Sequence, residues 1–203
     1  MKALFIAAAA ALAGCASTVT EEQTAQRAEQ LFHGAFTRGN QQIAARVATQ
    51  DEVQALCTKY RDNPPKEIAE RIERSQQATI KYPATGNLMG DWREGEKIAQ
   101  DGYGLRFTDT NAKRPNGGNC YACHQLSPKE LSFGTLGPSL RGYGKLRGNS
   151  EAIQRYTFGK IYNPEAYTAC SGMPRLGHNG TLTEQQIKDV TALLLDPNSP
   201  VNQ

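Results

Sequence analysis

The chain has 203 residues, 38% of them hydrophobic, and carries 23 Lys and Arg against 20 Asp and Glu for a formal charge of +3. That length accommodates one principal domain with an extension. The charge excess is small and comes with no Lys/Arg cluster or interleaved aromatic residues, which excludes a nucleic-acid-binding class and fits ordinary solubility or an acidic redox partner.

The first element is Met1-Lys2 followed by the apolar stretch Ala3 to Leu12. It reads as a secretory signal, too short and too weakly apolar to stay across a bilayer. It ends in Leu12-Ala13-Gly14-Cys15, which resembles the lipobox of bacterial lipoproteins. The resemblance implies removal of residues 1–14 and acyl chains on Cys15, enough to tether an exported protein in the periplasm. The alternative is an ordinary signal peptide that happens to contain a cysteine.

Residues 15–85 form an expected helical extension with three segments. The first runs from Glu21 to Thr37, with Ala25, Ala28, Phe32, Ala35 and Phe36 on one side. The second runs from Gln41 to Tyr60 with Ile43, Val47 and Leu56 inward. Asn63-Pro64 reads as an N-cap followed by first-turn proline, opening a third helix with Ile68, Ile72 and Ala78 that stops at Tyr82-Pro83. The extension is either a packed helical lobe or a spacer from the membrane. No pattern in it points to chemistry, and His33 reads as a surface residue.

Residues 86–203 form the expected second domain. A short helix is predicted from Asp91 through Ala99, and Asp101 to Gly148, rich in glycine and proline, reads as mostly loops. The last helix has the clearest signals: Thr183 and Gln186 at capping-box spacing, Leu182 and Ile187 at staple spacing, an apolar face of Ile187, Val190, Leu193 and Leu194, and Asp196-Pro197 as the stop. No strand-rich region or repeat interrupts this, so the fold class is all-α.

Within the loops stands Cys120-Tyr121-Ala122-Cys123-His124. This C-x-x-C-H run is the spacing by which two thiols attach one haem c covalently while the histidine ligates its iron. A zinc site would need a second cysteine/histidine cluster, and a thioredoxin-like dithiol would need a βαβ context; the sequence supplies neither. With Cys15 assigned to lipid, Cys57 and Cys170 remain, and on the oxidising side of a membrane two such thiols pair into a disulfide or stay as separate buried thiols. An unpaired Cys170 would be open to reaction.

The sixth iron position has candidates in Met173, His178, Met89 and His33. Met173 lies in Ser171-Gly172-Met173-Pro174, where small neighbours allow close backbone approach; plain core packing is the alternative. His178, in Gly177-His178-Asn179-Gly180, reads as part of an exposed turn. The Met-Pro loop resembles that of class I cytochromes c, and Gly137-Pro138-Ser139-Leu140-Arg141-Gly142 resembles their loop after the haem motif. The resemblance implies His124 and Met173 as axial ligands, with the Pro138 carbonyl orienting the His124 imidazole. Arg106, Arg141 and Arg175 are the candidates to face haem propionates.

The stretches Asp101 to Phe107, Pro115 to Gln125, Gly134 to Leu140, Ile161 to Pro164, Cys170 to Arg175 and Leu195 to Asn202 together resemble the SoxX family. Those proteins are the monohaem subunits of SoxAX cytochromes in bacterial sulfur oxidation. The resemblance implies an electron-transfer subunit with no substrate pocket of its own. It would accept electrons from a SoxA-type partner that joins thiosulfate sulfur to a SoxYZ carrier cysteine, and pass them to a small soluble cytochrome c. A free-standing, membrane-tethered electron carrier is the alternative; a haem enzyme with an open sixth site is a third.

Overall fold

A computed structural model of the chain describes residues 19–35, 37–39 and 41–203. These are all helix and loop, with no strand among the described residues. The chain divides into two units, Met1–Ala35 and Phe36–Gln203. In the first, α1 (Glu21–Ala35) buries no residue, and His33 Nε2 meets Glu29 Oε1 at 2.9 Å on its exposed surface. Phe36, expected to extend this helix, lies outside the described residues, as does Cys15.

The second unit begins with two helices where the sequence pattern suggests one. α2 (Gln41–Ala48) stops before Asp51, and α3 (Glu52–Tyr60) starts from it. Asp51 accepts from the Gln54 amide at 2.9 Å while the Gln54 side chain accepts from the Asp51 amide at 3.0 Å. This capping box breaks the expected continuous helix, because its cap residue takes an extended conformation. α4 (Lys66–Gln77) starts two residues later than expected, with Pro65 and not Asn63 at its N-cap. A residue before proline is steered away from helical geometry, so the helix can begin only after the second proline. It also ends early, at Ala78, where Thr79 Oγ1 turns back to the Gln76 carbonyl at 2.7 Å.

The main core forms where α5 (Trp92–Gln100) crosses α8 (Glu184–Leu195). Gly95 makes the crossing close, since a Cβ there would collide with the Asp189 carbonyl. Both predicted signals of α8 are present: the Thr183–Gln186 capping box, and Leu182 and Ile187 both buried at its entry. α7 (Glu151–Tyr162), capped by Ser150, adds fully buried Phe158 to Leu88, Leu126, Ile187 and Leu193. Truncating any one of the large members to Ala would cost about 2–5 kcal/mol.

The chain's end closes this core. Ile161 and Val201 complete it, and Asn202, 1% exposed, sits between α8 and the short α6 (Tyr143–Arg147). Its Oδ1 accepts from the Gly144 and Lys145 amides at 2.8 and 3.2 Å. Its Nδ2 donates to the Leu194 and Asp196 carbonyls at 3.0 and 2.9 Å. One side chain thus satisfies the first-turn amides of one helix and the last-turn carbonyls of another.

Candidate functional site

The loop leading to the cysteine motif is fixed at several points. Asp101 ends α5, accepts from the Tyr103 amide at 2.9 Å and meets Arg114 at 3.1 Å. Gly118 donates to the Ile98 carbonyl at 2.8 Å, and Gln186 Nε2 of α8 donates to the Asn116 carbonyl at 2.6 Å. These bonds present Asn119 in a left-handed conformation (φ 48°) at the start of a single 3₁₀ turn, Cys120–Ala122. The Cys120 carbonyl accepts from both the Cys123 and His124 amides, at 3.1 and 2.9 Å. Two thiols and one imidazole therefore emerge from a single turn.

Cys120 and Cys123 are both free and half-buried. Burial pushes the Cys120 thiol up to about 12. Tyr121, between them, has a buried hydroxyl; burial, with Glu96 and Glu130 nearby, raises it to about 12, and the Ser127 backbone offsets only part of this.

The following loop folds back over the motif. Gly134 donates to the Tyr121 carbonyl, Gly137 to the Cys123 carbonyl and Leu140 to the Gln125 carbonyl, each at 2.8 Å. The His124 ring lies against Gly137, where any Cβ would overlap it. Its Nδ1 is 2.8 Å from the Pro138 carbonyl oxygen. A carbonyl can only accept, so Nδ1 carries a proton, and in the neutral ring Nε2 then keeps its lone pair for a ligand. The same loop carries Leu131 and Leu136, 97% and 90% exposed, large apolar side chains with almost no cover from the protein.

Met173 is half-buried and packs on the main core, as Cys120 does. Met89 also packs against that core. His178 is half-buried rather than exposed, because Gly177 and His178 both donate to the Tyr162 carbonyl at 3.0 Å and its Nδ1 lies 3.3 Å from Thr79 Oγ1. Burial, with the Arg175 guanidinium, lowers its pKa, and Asp51 opposes this. Of the three arginines considered for propionates, Arg106 pairs with Asp109 at 2.9 Å and buried Arg175 with Asp51 at 2.6 Å. Arg141 is exposed and has no carboxylate partner among the described residues.

Cys57 and Cys170 form a disulfide with a Cα–Cα separation of 5.4 Å, closing 113 residues of sequence. The unfolded-chain entropy removed by so long a loop corresponds to about 5 kcal/mol. Asp62 stands beside the two sulfurs, but the bond occupies both thiols, so this group is not a metal site. A cavity of about 420 Å³ borders the disulfide and Met173; its lining is polar, with Gln50, Gln54, Asp62 and Glu165 among it. Sequence patterns do not single out the Asp51–Arg175 pair, since its members stand 124 residues apart.

The residues present fit a covalently held haem. The turn offers two unpaired thiols, an imidazole with its distal nitrogen free, and a glycine-lined approach beside the ring. Such a set can form two thioether links and one metal bond.

No family model matches the chain. It is 40% identical over 164 residues to an uncharacterized lipoprotein of Aquifex aeolicus (strain VF5), an alignment covering 77% of this chain and 75% of the relative. The chain belongs to the family of that lipoprotein. No helix among the described residues is long and apolar enough to cross a membrane.

Proposed function

We propose that this chain is a monohaem c-type cytochrome of the class I kind, the SoxX-like electron-transfer subunit of a SoxAX-type complex. The observation that carries the reading is the Cys120–His124 turn, with free thiols and an imidazole whose Nδ1 is held by the Pro138 carbonyl. A haem bound there supplies a one-electron iron couple. Cys120 and Cys123 anchor it, and His124 binds through Nε2. The Pro138 carbonyl orients the imidazole and raises its basicity. Met173 would supply a thioether to the iron, which favours the ferrous state and suits an electron acceptor. Of the three candidate arginines, Arg141 is the one without a carboxylate partner among the described residues and so open to a propionate.

The SoxX-like stretches support the partner side of this reading, in which a SoxA-type subunit would couple thiosulfate to the SoxYZ cysteine and the electrons would pass through this chain to a small soluble cytochrome c. The lipobox-like sequence before Cys15 and the lipoprotein relative support a lipid tether on the periplasmic side of a bacterial membrane.

The test is purification of the tagged protein from native membranes of thiosulfate-grown cells in mild detergent. Haem that resists extraction under denaturing conditions, and is lost in Cys120→Ala with Cys123→Ala, is expected. A co-purifying haem polypeptide and thiosulfate-dependent reduction of cytochrome c with SoxYZ added would complete the reading. A lone haem protein without that activity would make it a free-standing carrier, and a protein without covalent haem would overturn the proposal.

A further inference from the structure

Met173 lies in a segment, 169–175, that has no helix of its own to hold it. Four tethers fix it. The Ala169 amide donates to Glu73 Oε1 at 3.1 Å, and the Cys170 amide donates to Glu165 Oε2 at 2.7 Å. Cys170 is bonded to Cys57, and Arg175 pairs with Asp51 at 2.6 Å. Three of the four partners, Asp51, Cys57 and Glu73, belong to α3, its cap or α4, separated from the segment by 124, 113 and 96 residues. Together they hold Cys170 at φ 58°, a left-handed conformation that a free non-glycine residue avoids.

The two helices are themselves anchored. Val53, Cys57 and Ile72 form a second buried cluster on which Leu56, Ile68, Ala169 and Cys170 pack. Asn163 Nδ2, fully buried, donates to Gln76 Oε1 at 3.0 Å and Thr79 Oγ1 at 2.9 Å, tying the end of α4 to the turn after α7. A mere spacer from the membrane would need no bond to the methionine segment. A neutral thioether binds iron weakly, so its occupancy depends on how firmly its loop is held.

We infer that α3 and α4 form a latch on the 169–175 segment, and that Cys57, Glu73 and Asp51 are positioning residues for Met173. This rests on reading Met173 as the sixth ligand.

The test uses the full-length holoprotein with Cys57→Ser/Cys170→Ser, Glu73→Ala and Glu73→Gln. The readouts are the methionine–ferric iron charge-transfer band, the reduction potential, the affinity of ferric iron for imidazole, and hydrogen exchange of the 169–171 amides. The latch predicts a weakened band, a lower potential and about tenfold tighter imidazole binding in the first two variants, equivalent to about 1.4 kcal/mol of lost loop stabilisation. Glu73→Gln keeps an acceptor for the Ala169 amide and should restore wild-type behaviour. Unchanged band, potential and affinity in both weakened variants would overturn the latch. A wild-type haem protein lacking the methionine band would instead overturn the ligand assignment. The latch would then stand or fall on the exchange of the 169–171 amides alone, with unchanged protection in the variants overturning it.

Discussion

Replacing Asn202 should destabilise this protein far more than its place one residue from the C-terminus suggests. Its amide joins two helix ends through four hydrogen bonds of 2.8 to 3.2 Å, at 1% exposure. At about 1 kcal/mol per bond, with the stranded amides and carbonyls adding to the loss, Asn202→Ala should cost about 4 kcal/mol. Asn202→Asp should be no rescue: it keeps an acceptor for Gly144 and Lys145 but sets a carboxylate against the carbonyls of Leu194 and Asp196. Exposed Gln203, whose Nε2 reaches the Pro197 carbonyl at 2.9 Å, is the control, and its Ala variant should stay within about 0.5 kcal/mol. Urea unfolding followed by far-ultraviolet circular dichroism measures all three. The site should feel the change, because the neighbouring Val201 carbonyl accepts from Gly142 at 2.7 Å and so anchors the end of the Pro138 loop. An Asn202→Ala loss below about 1 kcal/mol, or recovery in Asn202→Asp, would refute the double-cap account.

Gly137→Ala puts a methyl group into the His124 ring, so the imidazole must leave the Pro138 carbonyl or the loop must shift. The expected result is about 1–3 kcal/mol of lost stability and an altered histidine–iron spectrum; a wild-type spectrum would mean that the ring has room. Acid should unfold the protein in two windows. His178 has a lowered pKa when folded, so the unfolded chain takes up its proton first, and this contribution is lost as pH falls through and below the ordinary 6.5. At Asp51, burial alone would raise the carboxyl, but the Gln54 amide and Arg175 outweigh it and hold it below 3.8. Its contribution is present above that value and is lost as pH falls through the lowered folded one. Asp51→Asn keeps a cap oxygen for Gln54 and should flatten the second window in a plot of unfolding midpoint against pH, while deepening the first, because the Asp51 charge offsets part of the His178 shift.

What the sequence made legible was chemistry carried by near neighbours. The Thr183–Gln186 box and the Leu182–Ile187 pair mark α8 within six residues, and the structure places the helix start there. Asp51-x-x-Gln54 is the same kind of signal as the box of α8, yet it lay inside a run whose apolar spacing reads as one helix, so the break between α2 and α3 was hidden. α7 escaped for another reason. Thr157, Phe158, Gly159 and Ile161 are all buried, and a helix covered on more than one side shows no amphipathic stripe. The Cys120–His124 turn was legible because its members are near neighbours, and the structure brings both free thiols and the imidazole out of one turn. The tethers of the Met173 segment were mostly not: Glu73 and Ala169 stand 96 residues apart, and no periodicity joins them. The Cys57–Cys170 bond was the exception, since leftover cysteines can be counted and carboxylates cannot. That difference also explains why the extension looked chemically empty. The bonds that α3, its cap and α4 make to the 169–175 segment join residues 96 to 124 positions apart, beyond the reach of any local pattern.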